Sequence, residues 1–397
     1  MRQLNFAAHP NFSHQMREVK RLFGDSFREP MLKGIREFLE QVMHEEILNR
    51  VDADWHERAP RQRRDFRNGC YVRSLVTSMG EIRLSVPRTR QSGSAAGIVV
   101  EAYQRRTAEV DSMLQQVFLR GVSTRQTGAV LEALCGHSLS ATSVSRLTRS
   151  LEEQARRFHI RELQDRYRYL LLDGVYLRVR QADGVKRRVV LCAYGIAANG
   201  ERELIDFQLA RSEGQRAWEG FLNSLFQRGL IGKELQLITT DGGLGLHAAL
   251  EVIYPRVALQ RCWAHKIRNL TDKMPRALLS QCRRGLRPIY DAVDRAAALA
   301  AFRRWKARWK DRAPKVVRCL KADLDQLLAC YACPIEHRIK VRTTNVIERC
   351  FREVRRRVRP MTLFQNPASC DRIIFAIFSR LNTEWMRHPL PEFTQKA

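Results

Sequence analysis

The chain has 397 residues, with 70 Lys and Arg against 42 Asp and Glu and a formal net charge of +28. That length allows roughly two or three domains and at least one sizeable core. The charge favours a polyanionic partner, nucleic acid before any other, with Arg-rich codon usage as the plainer explanation. No signal peptide, transit peptide or apolar run of about 18 residues is present, so the expectation is a soluble cytoplasmic protein with no membrane partner. The ten cysteines show no disulfide-type spacing and read as reduced, mostly buried thiols.

In chain order, residues 1–67 read as an N-terminal helical region. Ile35, Phe38, Leu39, Val42, Met43 and Ile47 fall near helical spacing. Residues 68–106 read as a basic β-hairpin and linker. Val72, Leu75 and Val76 precede a Ser78-Met79-Gly80 turn, then Ile82, Leu84 and Val86 alternate with polar residues. Gln91 to Gly97 is small and polar, a loop. Residues 107–160 read as helices, with Gly121 as a break and Ser123 and Ser140 as caps. Val144, Leu147 and Leu151 share a face of the last one, which leaves Arg146 and Arg149 pointing elsewhere. The pattern suits a helix-turn-helix whose final helix enters a DNA groove, and equally an ordinary three-helix packing unit.

From Tyr169 the pattern changes. Leu170 to Val179 is a strand holding Asp173, and Asp183-Gly184 is a hairpin turn. Val189 to Ile196 and Leu204 to Leu209 are further strands, and Gly214 to Arg228 is a helix with Trp218, Phe221, Leu222 and Leu225 as its core stripe. Leu235 to Thr240 is a strand ending at Asp241, Leu246 to Ile253 a helix, and Val257 to Leu259 the start of a fifth strand. A meander followed by helix-linked strands is the ribonuclease H-like plan, an α/β fold with a mixed sheet. Residues 165–265 are its first part. Residues 266–340 contain no good strand and read as an all-α insertion, with Trp305 and Trp309 in its core. Residues 341–397 return as core helices.

Asp173 follows Tyr-Leu-Leu-Leu, a buried-strand run where an unpaired carboxylate costs several kcal/mol. In a ribonuclease H-like sheet the first and fourth strands are neighbours, so Asp173 and Asp241 would lie side by side. They would repel unless a divalent cation sat between them. Glu348 opens a helix with two stripes. Ile347, Phe351, Val354 and Val358 form one; Glu348, Arg352, Arg355 and Arg359 form the other. The acid can reach a metal while the arginines meet phosphates. Taken alone, the same spacing is also that of a solvated Glu–Arg face. Cys262-Trp-Ala-His265 ends the fifth strand and reads as a pair of groups supporting the carboxylates near Asp241. A zinc half-site paired with Cys330-x-x-Cys333, or a plain core role for Cys262, is the alternative.

With these motifs in view, the chain resembles the Mutator-type DDE transposases of bacterial insertion sequences. The resemblance rests on Leu-Asp-Gly-Val-Tyr around Asp173, Trp218-x-x-Phe-Leu with Arg228-Gly-Leu, Thr-Asp-Gly around Asp241, Cys262-x-x-His265, and Thr-Thr-Asn-x-x-Glu348-Arg followed by Arg355-Arg356-Arg357. It covers about residues 65–385. It implies that Asp173, Asp241 and Glu348 are a catalytic, metal-holding triad for Mg²⁺, with Mn²⁺ as a substitute. It also implies binding of the element's inverted-repeat ends, nicking, joining of the 3′ hydroxyl to target DNA, and a homodimer on double-stranded DNA in the bacterial nucleoid. Arg352, Arg355, Arg356, Arg359, Arg146 and Arg149 are the candidate DNA contacts. Relatives commonly carry Asn where this chain has Phe351, and the helical stripe places Phe351 on the apolar side. A metal-dependent nuclease or resolvase of the same fold, and an inactive DNA-binding regulator derived from a transposase, are the alternatives.

Overall fold

The computed structural model describes residues 25–53, 64–101, 103–119, 124–135, 139–358 and 363–394. The chain divides into two compact units, Met1–Thr148 and Arg149–Ala397. No helix among the described residues is long and apolar enough to cross a membrane, and every cysteine whose side chain is described is a free thiol.

In the first unit a helix, Asp25–Val51, lies on an antiparallel hairpin of β1 (Arg67–Thr77) and β2 (Gly80–Thr89). The hairpin extends further each way than its alternating residues suggest, because Tyr71–Val86 is only the middle of its ladder. Met43, Ile47, Leu75, Ile82, Leu84 and Val86 form the core, with Ile35 and Leu39 packed against it. Phe38 departs from expectation and is 65% exposed. The buried stripe runs through 35, 39, 43 and 47 in steps of four, which turns Phe38 off the face. The loop after β2 contains one short 3₁₀ turn, Ala95–Ile98, capped by Ser94. Helices Ala108–Leu119, Thr124–Cys135 and Ala141–Ile160 follow. Ser140 caps the last, accepting from the Ser143 N–H at 3.2 Å. The Gly121 break and the Ser123 cap lie outside the described residues.

The second unit is built on a five-stranded mixed sheet in the order β5-β4-β3-β6-β7. Its strands are β3 (Tyr167–Gln181), β4 (Gly184–Ala197), β5 (Arg202–Ala210), β6 (Leu237–Thr240) and β7 (Ala258–Arg261). The first three form the antiparallel meander that the Asp-Gly and Asn-Gly turns dictate, and β6 and β7 run parallel to β3. Alternation along β3 assigns its faces. Leu170 and Leu172 bury against helices Gln215–Gln227 and Leu244–Ile253, with Trp218, Phe221, Leu222 and Leu250. The opposite face is covered by helices Asn345–Val358 and Pro367–Met386, where Phe378 packs edge-on against both Phe207 and Phe351. Phe351 is fully buried on the apolar stripe, as its spacing requires.

Residues 263–341 are helical throughout their regular elements, and Trp305 and Trp309 are buried there. These helices pack on the β7 side of the sheet. The Trp263 indole N–H donates to the Leu327 carbonyl at 2.8 Å. Gln260 on β7 accepts from the Cys330 N–H at 2.7 Å and donates to the Leu327 carbonyl at 3.0 Å.

Candidate functional site

The parallel pairing of β3 with β6 matches Tyr169 to Leu237, Leu170 to Ile238 and Leu171 to Thr239. Two residues further along each strand lie Asp173 and Asp241. The register therefore brings Asp173 and Asp241 to a similar level on neighbouring segments. Asp241 stands just past the end of β6, where Gly242 turns the chain with φ +87°. Its Oδ1 accepts from the Gly243 N–H at 2.9 Å.

Asp173 shares its face of β3 with Leu171, so it points towards the Asn345–Val358 helix. Glu348 sits in the first turn of that helix. A correction concerns His265. The Cys262-x-x-His265 motif does not end a strand: β7 stops at Arg261, Cys262 is the N-cap, and Trp263–Thr271 is a helix. The helix carries His265 one turn in and presents it to the carboxylates. The ligand atoms of Asp173, His265 and Glu348 lie within 4.8 Å of one another. His265 Nε2 is 3.5 Å from Glu348 Oε1, and Arg268 Nη2, one turn further along, is 3.2 Å from the same oxygen. Asp241 is outside this closest group but acts on it through its charge. Cys330 and Cys333 join no metal-type cluster among the described residues.

Cys262 sits behind the site. Its buried sulfur accepts from the Thr344 N–H at 3.3 Å and lies 3.6 Å from the Thr344 hydroxyl. Thr344 also hydrogen-bonds Asp173, so one threonine links the motif cysteine, the first aspartate and the start of the Glu348 helix. The Trp263 N–H donates to the Arg342 carbonyl at 3.0 Å and fixes the same junction.

The electrostatics follow from burial. Asp173 is 3% exposed, and burial pushes its carboxyl up to about 7. His265 and the Thr344 hydrogen bond oppose that rise, while Asp241 and Glu348 reinforce it. His265 is raised to about 9, first by its hydrogen bond with Cys262, against burial, with help from the Asp173 and Asp241 charges. Burial raises the Cys262 thiol, but the hydrogen bond and charge of His265 outweigh it and hold the thiol below its ordinary range. Asp173 Oδ2 is buried with no hydrogen-bond partner. An orphaned carboxylate oxygen inside a set of carboxylate and imidazole donors fits a small divalent cation.

One consequence is measurable without DNA. The folded Asp173 holds its proton up to about 7, whereas its unperturbed value is 3.8. The folded state therefore binds more protons in that window, and metal-free stability falls as pH rises through it. We expect Asp173→Asn to flatten that fall. It should also raise metal-free stability at pH 8 by roughly 2–4 kcal/mol in urea unfolding with EDTA. An unchanged pH slope would refute the buried-charge account.

The candidate DNA contacts are more scattered. Arg352 and Arg355 are exposed on the Glu348 helix. Arg356 is exposed too, with Glu353 3.4 Å away. Arg146 is exposed in the first unit, whereas the Arg149 side chain and Arg359 lie outside what the structure describes. Reading the sequence missed Arg268 and Glu213, a half-buried acid beside Asp241 treated below. A Glu in Ser-Glu-Gly just ahead of a helix looks like an ordinary helix lead-in. Only the approach of that loop to Asp241 distinguishes it.

Comparisons with known proteins point to one family. The family profile described as "Transposase, Mutator family" matches residues 10–388. The chain is 36% identical over 357 residues to the transposase for insertion sequence element ISRM5 of Rhizobium meliloti, covering 89% of each chain. It is 31% identical over 380 residues to the transposase for IS256 in transposon Tn4001 of Staphylococcus aureus, covering 95% of this chain and 96% of that one. It is 35% identical over 331 residues to the transposase for IS406 of Burkholderia multivorans, covering 82% and 83%.

Proposed function

Because the chain belongs to the Mutator family of transposases, we propose that it is a DDE transposase which binds the inverted-repeat ends of its own insertion sequence, cuts there, and joins the freed 3′ hydroxyl to target DNA. The observation that carries this reading is the gathering of Asp173, His265 and Glu348 midway along β3, with Asp241 just past the end of the neighbouring strand. The five-stranded mixed sheet, its strand order, and the helices between Asp241 and Glu348 support a ribonuclease H-like catalytic unit with an all-α insertion.

Asp173, Asp241 and Glu348 are the residues that would hold Mg²⁺ or Mn²⁺. When bound, such a cation supplies Lewis acidity at the scissile phosphate and an ionised nucleophile near neutral pH. His265 carries a proton in the metal-free site and offsets the carboxylate charge; facing a phosphate, it can donate that proton in a hydrogen bond. Thr344 holds Asp173 through its hydrogen bond. Arg352 and Arg355 extend one and two turns beyond Glu348 along the same stripe, which suits phosphates on either side of the scissile bond. Arg356, partly engaged by Glu353, contributes less. Helices Thr124–Cys135 and Ala141–Ile160 suit a helix-turn-helix, with Arg146 and Arg149 on the groove-entering helix. A homodimer acting on two DNA ends in the cytoplasm, at the nucleoid, completes the reading.

The test uses the DNA that flanks the gene, since an insertion sequence carries its own ends. Purified protein is mixed with labelled end DNA, a target plasmid and Mg²⁺, with Asp173→Ala as control. Metal-dependent 3′-end joining, lost in the control, is the expected result. Cleavage without joining would replace this reading with a nuclease or resolvase. Binding without cleavage, in Mn²⁺ as well, would replace it with an inactive DNA-binding regulator. A separate prediction concerns Arg352→Ala. Binding of end DNA should weaken, and the slope of log affinity against log salt should flatten by about 0.9, the share of a single neutralised phosphate. An unchanged slope would make Arg352 structural.

A further inference from the structure

The loop between β5 and the Gln215–Gln227 helix carries an acid that the triad does not include. Glu213 is half-buried, and its place is recorded in two glycines of the aspartate motifs. A β-carbon on Gly174, the residue after Asp173, would overlap the Glu213 carboxylate. A β-carbon on Gly245, four residues after Asp241, would come within 2.8 Å of the Glu213 carbonyl oxygen. The strand that carries Asp173 and the start of the helix that follows Asp241 are thus both glycine where this one residue crosses them. Gly174 lies on the face of β3 opposite to Asp173, so Glu213 arrives from the side facing away from Glu348.

We propose that Glu213 is a fourth carboxylate ligand of the cation centre, reaching it beside Asp241 from the face opposite to Glu348. This deepens the transposase reading and rests on it. A second observation points the same way. Asp173 is 3% exposed and its Oδ2 has no partner, so the centre already holds a buried acceptor that a cation would satisfy. Burial first, and then the Asp241 charge, raise the Glu213 carboxyl above its ordinary value, with Tyr176 and His265 opposing. The plainer role for Glu213 is to accept a hydrogen bond from Tyr176. A glutamine there can accept the same bond, but it is a poor ligand for a hard divalent cation. That difference separates the two roles.

The experiment is a Mn²⁺ titration of the full-length protein, with bound ion read by electron paramagnetic resonance, so that no catalysis is needed. The proteins are wild type, Glu213→Gln, Gly174→Ala, Asp173→Asn and Glu219→Gln, the last being an acid one turn into the same helix. We expect Glu213→Gln to bind Mn²⁺ about tenfold more weakly or to lose one ion, while its metal-free melting temperature stays unchanged. Gly174→Ala should reproduce the defect, because the added carbon displaces the carboxylate. Glu219→Gln should bind as wild type. If Asp173→Asn loses Mn²⁺ and Glu213→Gln does not, the Glu213 assignment is wrong and the transposase reading stands. If wild type itself binds no Mn²⁺, the cation centre and this assignment fall together.

Discussion

Asp173→Asn should reduce 3′-end joining by at least roughly a thousandfold, about 4 kcal/mol of barrier, while end DNA is still bound. The substitution keeps the shape of the side chain and removes its charge. Asp173 is the most buried of the three triad acids, and its Oδ2 has no protein partner. A buried carboxylate with one oxygen left unpartnered costs stability. Its presence is explained by a ligand that neutralises it. The same variant is therefore expected to be more stable than wild type without metal and nearly inactive with it. Opposite signs for stability and activity in one substitution mark a residue kept for chemistry. Asp241→Asn and Glu348→Gln should lose joining to a similar degree. Near-normal joining by any one of them removes that residue from the triad. Binding of end DNA, measured by gel shift, must survive in all three for the loss to be chemical.

Asp206→Ala should cost about 3–5 kcal/mol of stability, the largest structural effect expected of a single polar residue here. Asp206 lies on β5, 4% exposed. Its Oδ1 accepts from His159 Nδ1 at 2.6 Å and from the Phe207 N–H at 2.7 Å, and its Oδ2 pairs with Arg228. His159 Nε2 in turn faces Asp371 Oδ1 at 3.1 Å. One carboxylate thus ties together the Ala141–Ile160 helix, the sheet, the end of the Gln215–Gln227 helix and the Pro367–Met386 helix. Removing it leaves Arg228 and an imidazolium partly buried without their shared anion. Burial alone would lower the His159 pKa; Asp206 and Asp371 overcome it and raise it to about 9. That linkage stabilises the folded state fully below 6.5 and is lost as pH rises through 9. Urea unfolding at about pH 6, 8 and 10 should show the loss in wild type and a flatter profile in Asp206→Ala. A cost under about 1 kcal/mol at the lowest pH would mean that water replaces the anion and that the network is not structural.

Much of this was legible from the residues in order. Asp183-Gly184 and Asn199-Gly200 turn the meander. Leu-Leu-Leu before Asp173 needs a strand buried on both faces. Ile347, Phe351, Val354 and Val358 are a helical stripe that lands wholly in the core. The strand–helix order also made the strands leading to Asp173 and Asp241 neighbours, which the β3–β6 pairing bears out. Where the expectation slipped, the deciding contact was distant in the chain. The run from Ala258 to His265 is too short and mixed for its periodicity to separate strand from helix. The Trp263 indole bond to Leu327 and the Trp263 N–H bond to Arg342 accompany the start of a helix at Trp263. Phe38 fits a helical stripe by spacing, yet only the hairpin beneath that helix selects which stripe is buried.

The sequence by itself determined which segments are strands and helices, which acids end apolar runs, and which family those motifs in that order belong to. These are local properties, set by side-chain periodicity, turn chemistry and the intolerance of buried strands for charge. Only the tertiary structure decided that His265 faces Asp173 and Glu348, that Thr344 joins Cys262 to the first aspartate, and that Glu213 approaches from the far face. Those pairings join residues scores of positions apart. They are set by strand register and by helices docking on opposite faces of one sheet, which no local pattern encodes.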